Sequence, residues 1–194
     1  MSSSNLTRPG GLAAMLGGLL VILVLIPIHI MNENSVWVNV TWIPTLVLLA
    51  MGMVELRSRQ QGGLGWLGNT GFFLAVIGTV LFTVVSLGNA LYKGPLQTTP
   101  PELVQAIEGV VVLSMMAGTL LLGIATAKAG VLPRWSGLAL VIGTLSALTL
   151  GFIGSENVRL QEAGVHLFGV GWAVLGFALW SGKGETLQQP SRVS

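Results

Sequence analysis

A chain of 194 residues that is 52% hydrophobic and only 8% charged, with a mean hydropathy of +0.80, cannot cover a water-facing surface, for which about 25% charged residues are usual. The absence of cysteine excludes a disulfide framework, a thiolate metal site and a cysteine nucleophile. A formal charge of +2 gives no basis for nucleic-acid binding, and the long apolar runs point instead to a polytopic membrane protein whose partner is the lipid bilayer.

Crossing the hydrocarbon core takes about 20 residues of helix, and six runs are long enough. Residues 1–10 form a short segment before the first, which spans Gly11 to Ile30 and closes in I26-P-I-H-I-M-N-E-N34. That run is too long for a signal-peptide core, and no small-x-small cleavage site follows it in M31-N-E-N-S35, so it reads as a retained helix. His29 falls within a turn of its end and reads first as an interfacial residue, with a ligand role as the alternative.

The second run spans Trp37 to Leu56 and contains Pro44. Pro27 and Pro44 each remove a backbone donor at similar depth in adjacent spans. Kinks there would open a pocket facing the far side of the membrane. Glu55 beside Arg57 and Arg59 reads as an ion-paired residue at the interface.

The third run, Leu64 to Leu91, follows the glycine-rich G62-G-L-G-W-L-G68 and ends near Asn89 and Tyr92. Because this glycine loop enters a span rather than following a strand, it is not a nucleotide cradle. The fourth run, Leu103 to Ala127, opens with Gln105 and Glu108. Glu102, after Pro100 and Pro101, is a first-turn carboxylate favoured by the helix dipole, and Met115-Met116 reads as bundle packing.

The fifth run, Gly137 to Gly154, is reached through A129-G-V-L-P-R-W-S-G137. The sixth, Ala163 to Gly182, is preceded by Arg159 and Glu162 and begins with His166 close to its start. At about 100° per residue, positions 159, 162 and 166 share one sector of a helix, which makes a polar stripe. The polar segment 183–194 reads as a disordered cytoplasmic tail.

Odd-numbered runs resemble one another. G11-L-A-A-M-L-G-G-L-L20, F72-F-L-A-V-I-G-T-V-L81 and G137-L-A-L-V-I-G-T-L-S146 align on Gly17, Gly78 and Gly143. The expected fold is an all-α, six-helix transmembrane bundle made of three hairpin repeats. Small residues four apart, in Ala14/Gly18, Ser114/Gly118, Ala139/Gly143 and Gly169/Ala173, are expected at its helix contacts. The A129-to-G137 loop and the hairpin layout resemble those of small, uncharacterised bacterial six-span membrane proteins. That resemblance implies a helical bundle in a bacterial cytoplasmic membrane and no particular activity.

Arg8, Arg57, Arg59, Lys128, Arg134, Lys183 and Arg192 fall on one side of a six-span layout, and Lys93 and Arg159 on the other. By the positive-inside rule both termini are then cytoplasmic, and the resemblance implies that the membrane is the inner one. Trp66 and Trp135 should sit in the aromatic belt of that side.

Polar chemistry gathers at the opposite, outer ends of the spans, in His29, Asn89, Glu108, Glu162 and His166. Ionisable groups at such depth usually face the bundle or water, so these five define a tentative outward-facing pocket. Four functions compete for it. The first is a non-enzymatic accessory or structural membrane protein, with room for a homo-oligomer or a membrane-protein partner. The second is a small-solute carrier or binding protein. The third is a redox module in which His29 and His166 hold a haem or a quinone. The fourth is a metal-dependent hydrolase drawing on both histidines and a carboxylate, although no H-E-x-x-H spacing and no Asp is present. The first requires the least of the sequence.

Overall fold

The computed structural model describes residues 8–31, 36–60, 65–93, 95–96, 98–153 and 157–181, excepting the side chains of Arg8, of residues 25–31 and of Trp37. These residues form six α-helices, and no strand occurs among them. They are α1 (Arg8–Met31), α2 (Val36–Arg59), α3 (Gly65–Lys93), α4 (Glu102–Ala129), α5 (Arg134–Ile153) and α6 (Val158–Ser181). Helices α2 to α6 are long and apolar enough to cross a membrane, while the described apolar stretch of α1 is the shorter Pro9–Val24.

Helix ends fall where local chemistry stops them, not where hydropathy changes. The sequence places the sixth span from Ala163, yet α6 begins at Val158. The reason is Asn157, whose side-chain Oδ1 accepts from the Arg159 N–H at 3.2 Å and whose carbonyl accepts from the Leu160 N–H at 3.0 Å. That is an N-cap, and it draws a polar turn into the helix. Helix α4 starts on Pro101, whose carbonyl accepts from the Val104 N–H at 2.9 Å. It stops at Gly130, held at φ 68°, a left-handed conformation that glycine adopts without penalty.

Each helix packs on its predecessor and successor, and α6 returns to pack on α1, so the six close into a ring. All six pairings are antiparallel. Gly52 meets Ala14, Gly78 meets Met115, Gly171 meets Ala139 and Gly18 meets Ala173. Gly137 meets Ala127, and Trp42 lies edge-on to Phe82 at 5.9 Å. The start of α1 and the end of α6 therefore share one end of the ring. The ends of α1, α3 and α5 and the starts of α2, α4 and α6 share the other, called here the far end.

The small-residue pairs expected from the sequence do form contacts. Gly18 of α1 sits against Ala173 and Gly169 of α6, so two of those pairs meet each other. A Cβ on Gly169 would lie 2.7 Å from the Gly18 carbonyl oxygen. Since lipid tails are as apolar as leucine, close backbone approach and dispersion, rather than the hydrophobic effect, hold such helices together. Gly118 against Ala75 makes the equivalent seam between α4 and α3.

The ring encloses a core that includes Leu46, Leu49, Leu122, Leu140, Trp172 and Leu175, with Met115 and Met116 part of it as expected. Threonines in this core satisfy their hydroxyls within their own helices. Thr79 donates to the Ala75 carbonyl, Thr119 to Met115 and Thr144 to Leu140, all at 2.7–2.8 Å. A buried hydroxyl without an acceptor would cost about 1–3 kcal/mol. On the outside, Val80, Val84, Val110 and Ile142 are all more than half exposed, as lipid-facing positions should be.

Pro44 is exposed and lies inside an uninterrupted α2. Val40, whose carbonyl loses its donor to this proline, is also exposed, so the freed acceptor faces outward and does not line an internal pocket. Pro27, its supposed partner in depth, has its side chain outside the described residues.

Candidate functional site

Four of the five polar residues singled out from the sequence can be placed. Asn89 is near the end of α3 and Glu108 is on the second turn of α4, so the antiparallel hairpin brings both to the far end. The Asn89 amide Nδ2 donates to Glu108 Oε2 at 2.9 Å, a charge-assisted bond when the carboxylate is ionised. Asn89 is buried and Glu108 half-buried, and the Asn89 carbonyl Oδ1 is buried with no hydrogen-bond partner.

Glu162 and His166 lie one turn apart on α6. His166 Nδ1 is 2.7 Å from the Glu162 backbone carbonyl. A carbonyl only accepts, so Nδ1 carries the proton and Nε2 holds the lone pair of the neutral ring. Glu162 is buried and His166 half-buried. Each stands seven residues before a contact with α1, Glu162 before Gly169 and His166 before Ala173, so both occupy the α1-facing side of the helix. Arg159, the third member of the stripe, is exposed. The stripe runs from water into the α1–α6 seam.

Two local contacts are described among these residues. Asn89 and Glu108 join α3 to α4, Glu162 and His166 belong to the α6 face toward α1, and α5 stands between α4 and α6 in the ring. The His29 side chain lies outside the described residues, as do Asn32 and Glu33. Among the described residues no group of three or more His, Asp or Glu side chains is placed to hold a metal ion.

A concavity at the far end has another chemistry. The lower part of the α4–α5 pair is tight, since a Cβ on Gly137 would lie 2.6 Å from the Ala127 backbone nitrogen. Toward the far end the helices part and leave an open groove of about 430 Å³. Val112, Leu113 and Met116 of α4 form one wall, Leu148 and Phe152 of α5 the other, and Val165 of α6 is reached between them. Gln161 is its polar lining residue, and none of Asn89, Glu108, Glu162 and His166 lines it.

Several polar groups gave no usable signal in the sequence. Gln60, at the end of α2, is buried with both side-chain polar atoms unpartnered, and the Trp172 indole N–H is buried in the core in the same state. Gln161 sat beside Glu162 and was hidden by it. At the other end of the bundle Arg59 pairs with Glu55 at 2.7 Å, as the sequence suggests. Arg57 instead lies over the rings of Phe72 and Phe73, 4.4 and 4.7 Å from their centroids. Trp66 and Trp135, at this same end, are exposed.

This fold, with its apolar exterior and multiple membrane-length helices, defines a multi-pass helical membrane protein. Comparison with protein-family models, with curated proteins and with solved structures returns no match.

Proposed function

We propose that this chain is a non-enzymatic accessory or structural protein of a bacterial cytoplasmic membrane, crossing it six times with both termini in the cytoplasm. The observation that carries this reading is the series of interlocked seams around the ring. Gly18 of α1, Gly78 of α3, Gly118 of α4 and Gly143 of α5 press on neighbouring helices, and α6 locks the bundle through Gly169, Gly171 and Gly176. Three-hairpin repetition draws support from the Gly17, Gly78 and Gly143 column. Each of these glycines presses on the second helix of its own hairpin, against Leu49, Met115 and Leu167. The seven-to-two distribution of cationic residues supports the orientation.

The functional test is complementation of a deletion strain by Glu108→Ala, Glu162→Ala and His166→Ala. Accessory function through the bundle predicts rescue by each variant that reaches the membrane at normal levels. Failure of all three at normal levels overturns it. Topology is tested on single-cysteine variants, since the chain has no cysteine of its own. A membrane-impermeant maleimide should label Thr99→Cys in intact cells and Lys128→Cys only after permeabilisation; labelling of both from one side overturns the layout.

A second reading, a carrier of small solutes, draws on the Asn89–Glu108 pair, a carboxylate held at the far end of the bundle. Flat uptake under imposed ion gradients in proteoliposomes removes it. The haem version of a redox reading, with His29 and His166 as ligands, requires a Soret band in the purified protein.

A further inference from the structure

We propose that the groove between α4 and α5 is a binding site for one acyl chain of a phospholipid, drawn from the leaflet at the far end of the bundle. The inference rests on the membrane-spanning reading above. It starts from two glycines. Most helical glycines here press on a neighbouring helix, but a Cβ at Gly88, Gly109 or Gly151 would meet no atom within 4 Å. Gly109 and Gly151 line the groove, one from each wall. Glycine in a helix interior costs about 1 kcal/mol relative to alanine, and at these two positions no protein contact offsets that cost. What the missing side chains provide is room.

The dimensions and chemistry of the groove select the occupant. From Gly109 to Met116 it extends about 10 Å along α4, at about 1.5 Å per residue. That is most of one leaflet's share of a hydrocarbon core about 30 Å thick. Its volume of about 430 Å³ holds roughly fourteen water-sized groups at about 30 Å³ each, and a methylene is of similar size. Walls of Val112, Leu113, Met116, Leu148 and Phe152 offer only dispersion contacts. Gln161 adds an amide N–H₂ at the level of the first turn of α6. Hydrocarbon in the groove with a carbonyl above it matches the ester-linked end of a fatty acyl chain, whose carbonyl oxygen accepts from that amide.

The experiment uses the full chain in nanodiscs of phosphatidylcholine and phosphatidylglycerol that contain a phosphatidylcholine with a diazirine-bearing acyl chain. After irradiation, labelled residues are located by peptide mass spectrometry. Wild-type protein should be labelled on Val112–Met116 and Leu148–Phe152 well above the lipid-facing Val80 and Val84 of α3. Gly109→Leu with Gly151→Leu fills the groove from positions that touch nothing, and should reduce groove labelling at least fivefold with α3 labelling unchanged. Gln161→Leu should reduce it severalfold.

Equal labelling of groove and α3 in wild type, or no change in the double variant, overturns the proposal while leaving membrane insertion intact. Absence of label on α3 as well would instead count against the membrane reading itself. Displacement of the label by a substoichiometric isoprenoid quinone, but not by unlabelled phospholipid, would overturn the phospholipid assignment.

Discussion

One helix pair, α4 and α5, uses glycine in two opposite ways. Near the end shared by the start of α1 and the end of α6, Gly123 and Gly137 bring the backbones together until a Cβ on Gly137 would meet the Ala127 nitrogen at 2.6 Å. Fourteen residues farther along α4 from Gly123, Gly109 faces open space, and so does Gly151 on α5. The residue type is the same, and only the splay of the two helices separates a seam from a groove. A membrane glycine is thus evidence of close packing only where a partner stands opposite it.

The strongest way to break this contrast is to attack a seam. Gly18→Leu places a side chain against the Ala173 and Gly169 backbone, which belongs to another helix and cannot turn aside. Overpacking of this kind costs about 1–3 kcal/mol and often more. We expect a large fall in melting temperature in detergent, with much of the protein lost from the monodisperse peak in size-exclusion chromatography.

Next in size is the polar contact at the far end. Glu108→Ala leaves a buried Asn89 with neither amide nor carbonyl partnered, at a cost of about 1–3 kcal/mol. Glu108→Gln keeps an acceptor for the Asn89 amide and should recover most of the loss in the same thermal melt. Equal destabilisation by both substitutions would show that charge, not hydrogen bonding, carries the contact.

Arg57→Ala removes a guanidinium from two aromatic faces and should cost about 0.5–1 kcal/mol per exposed cation–π contact. It should leave the Glu55–Arg59 pair intact, measurable as a double-mutant cycle with Phe73→Leu. The smallest effect belongs to the groove. Gly109→Ala and Gly151→Ala meet no neighbour, so each should be neutral or stabilising, by up to about 1 kcal/mol through helix propensity. The same change at Gly137 should destabilise. A destabilising Gly109→Ala would mean that the helices close over the groove and the contrast is lost.

The helical architecture was legible because apolar length is a property of a single run and needs no knowledge of neighbours. Helix ends were less so. The hydropathic edge before Ala163 hid five helical residues, since the Asn157 cap works by hydrogen bonding and not by polarity. Asn89 and Glu108 were both marked as polar residues at one end of their helices. That they touch depends on the hairpin register, which the sequence does not state. Pro44 illustrates the reverse: it was legible as a broken donor, but the face it occupies is set by packing, and it faces out. Gly109 and Gly151 had no signal of their own, because nothing local distinguishes them from Gly118 or Gly123.

The closure of the ring has a consequence for how the protein is made. Helix α1 packs more extensively with α6 than with α2, and its glycine face at Gly11 and Gly18 matches α6 alone. During synthesis α1 leaves the ribosome first and α6 last. At about 5–20 residues per second, the 127 residues from Met31 to Val158 take about 6–25 s. On the six-span reading proposed above, the first helix waits through that interval in the membrane with its α6-facing surface uncovered. Biogenesis of this bundle therefore ends with its first helix, and a chain stopped before α6 leaves the α6-facing surfaces of both α1 and α5 open to another membrane helix.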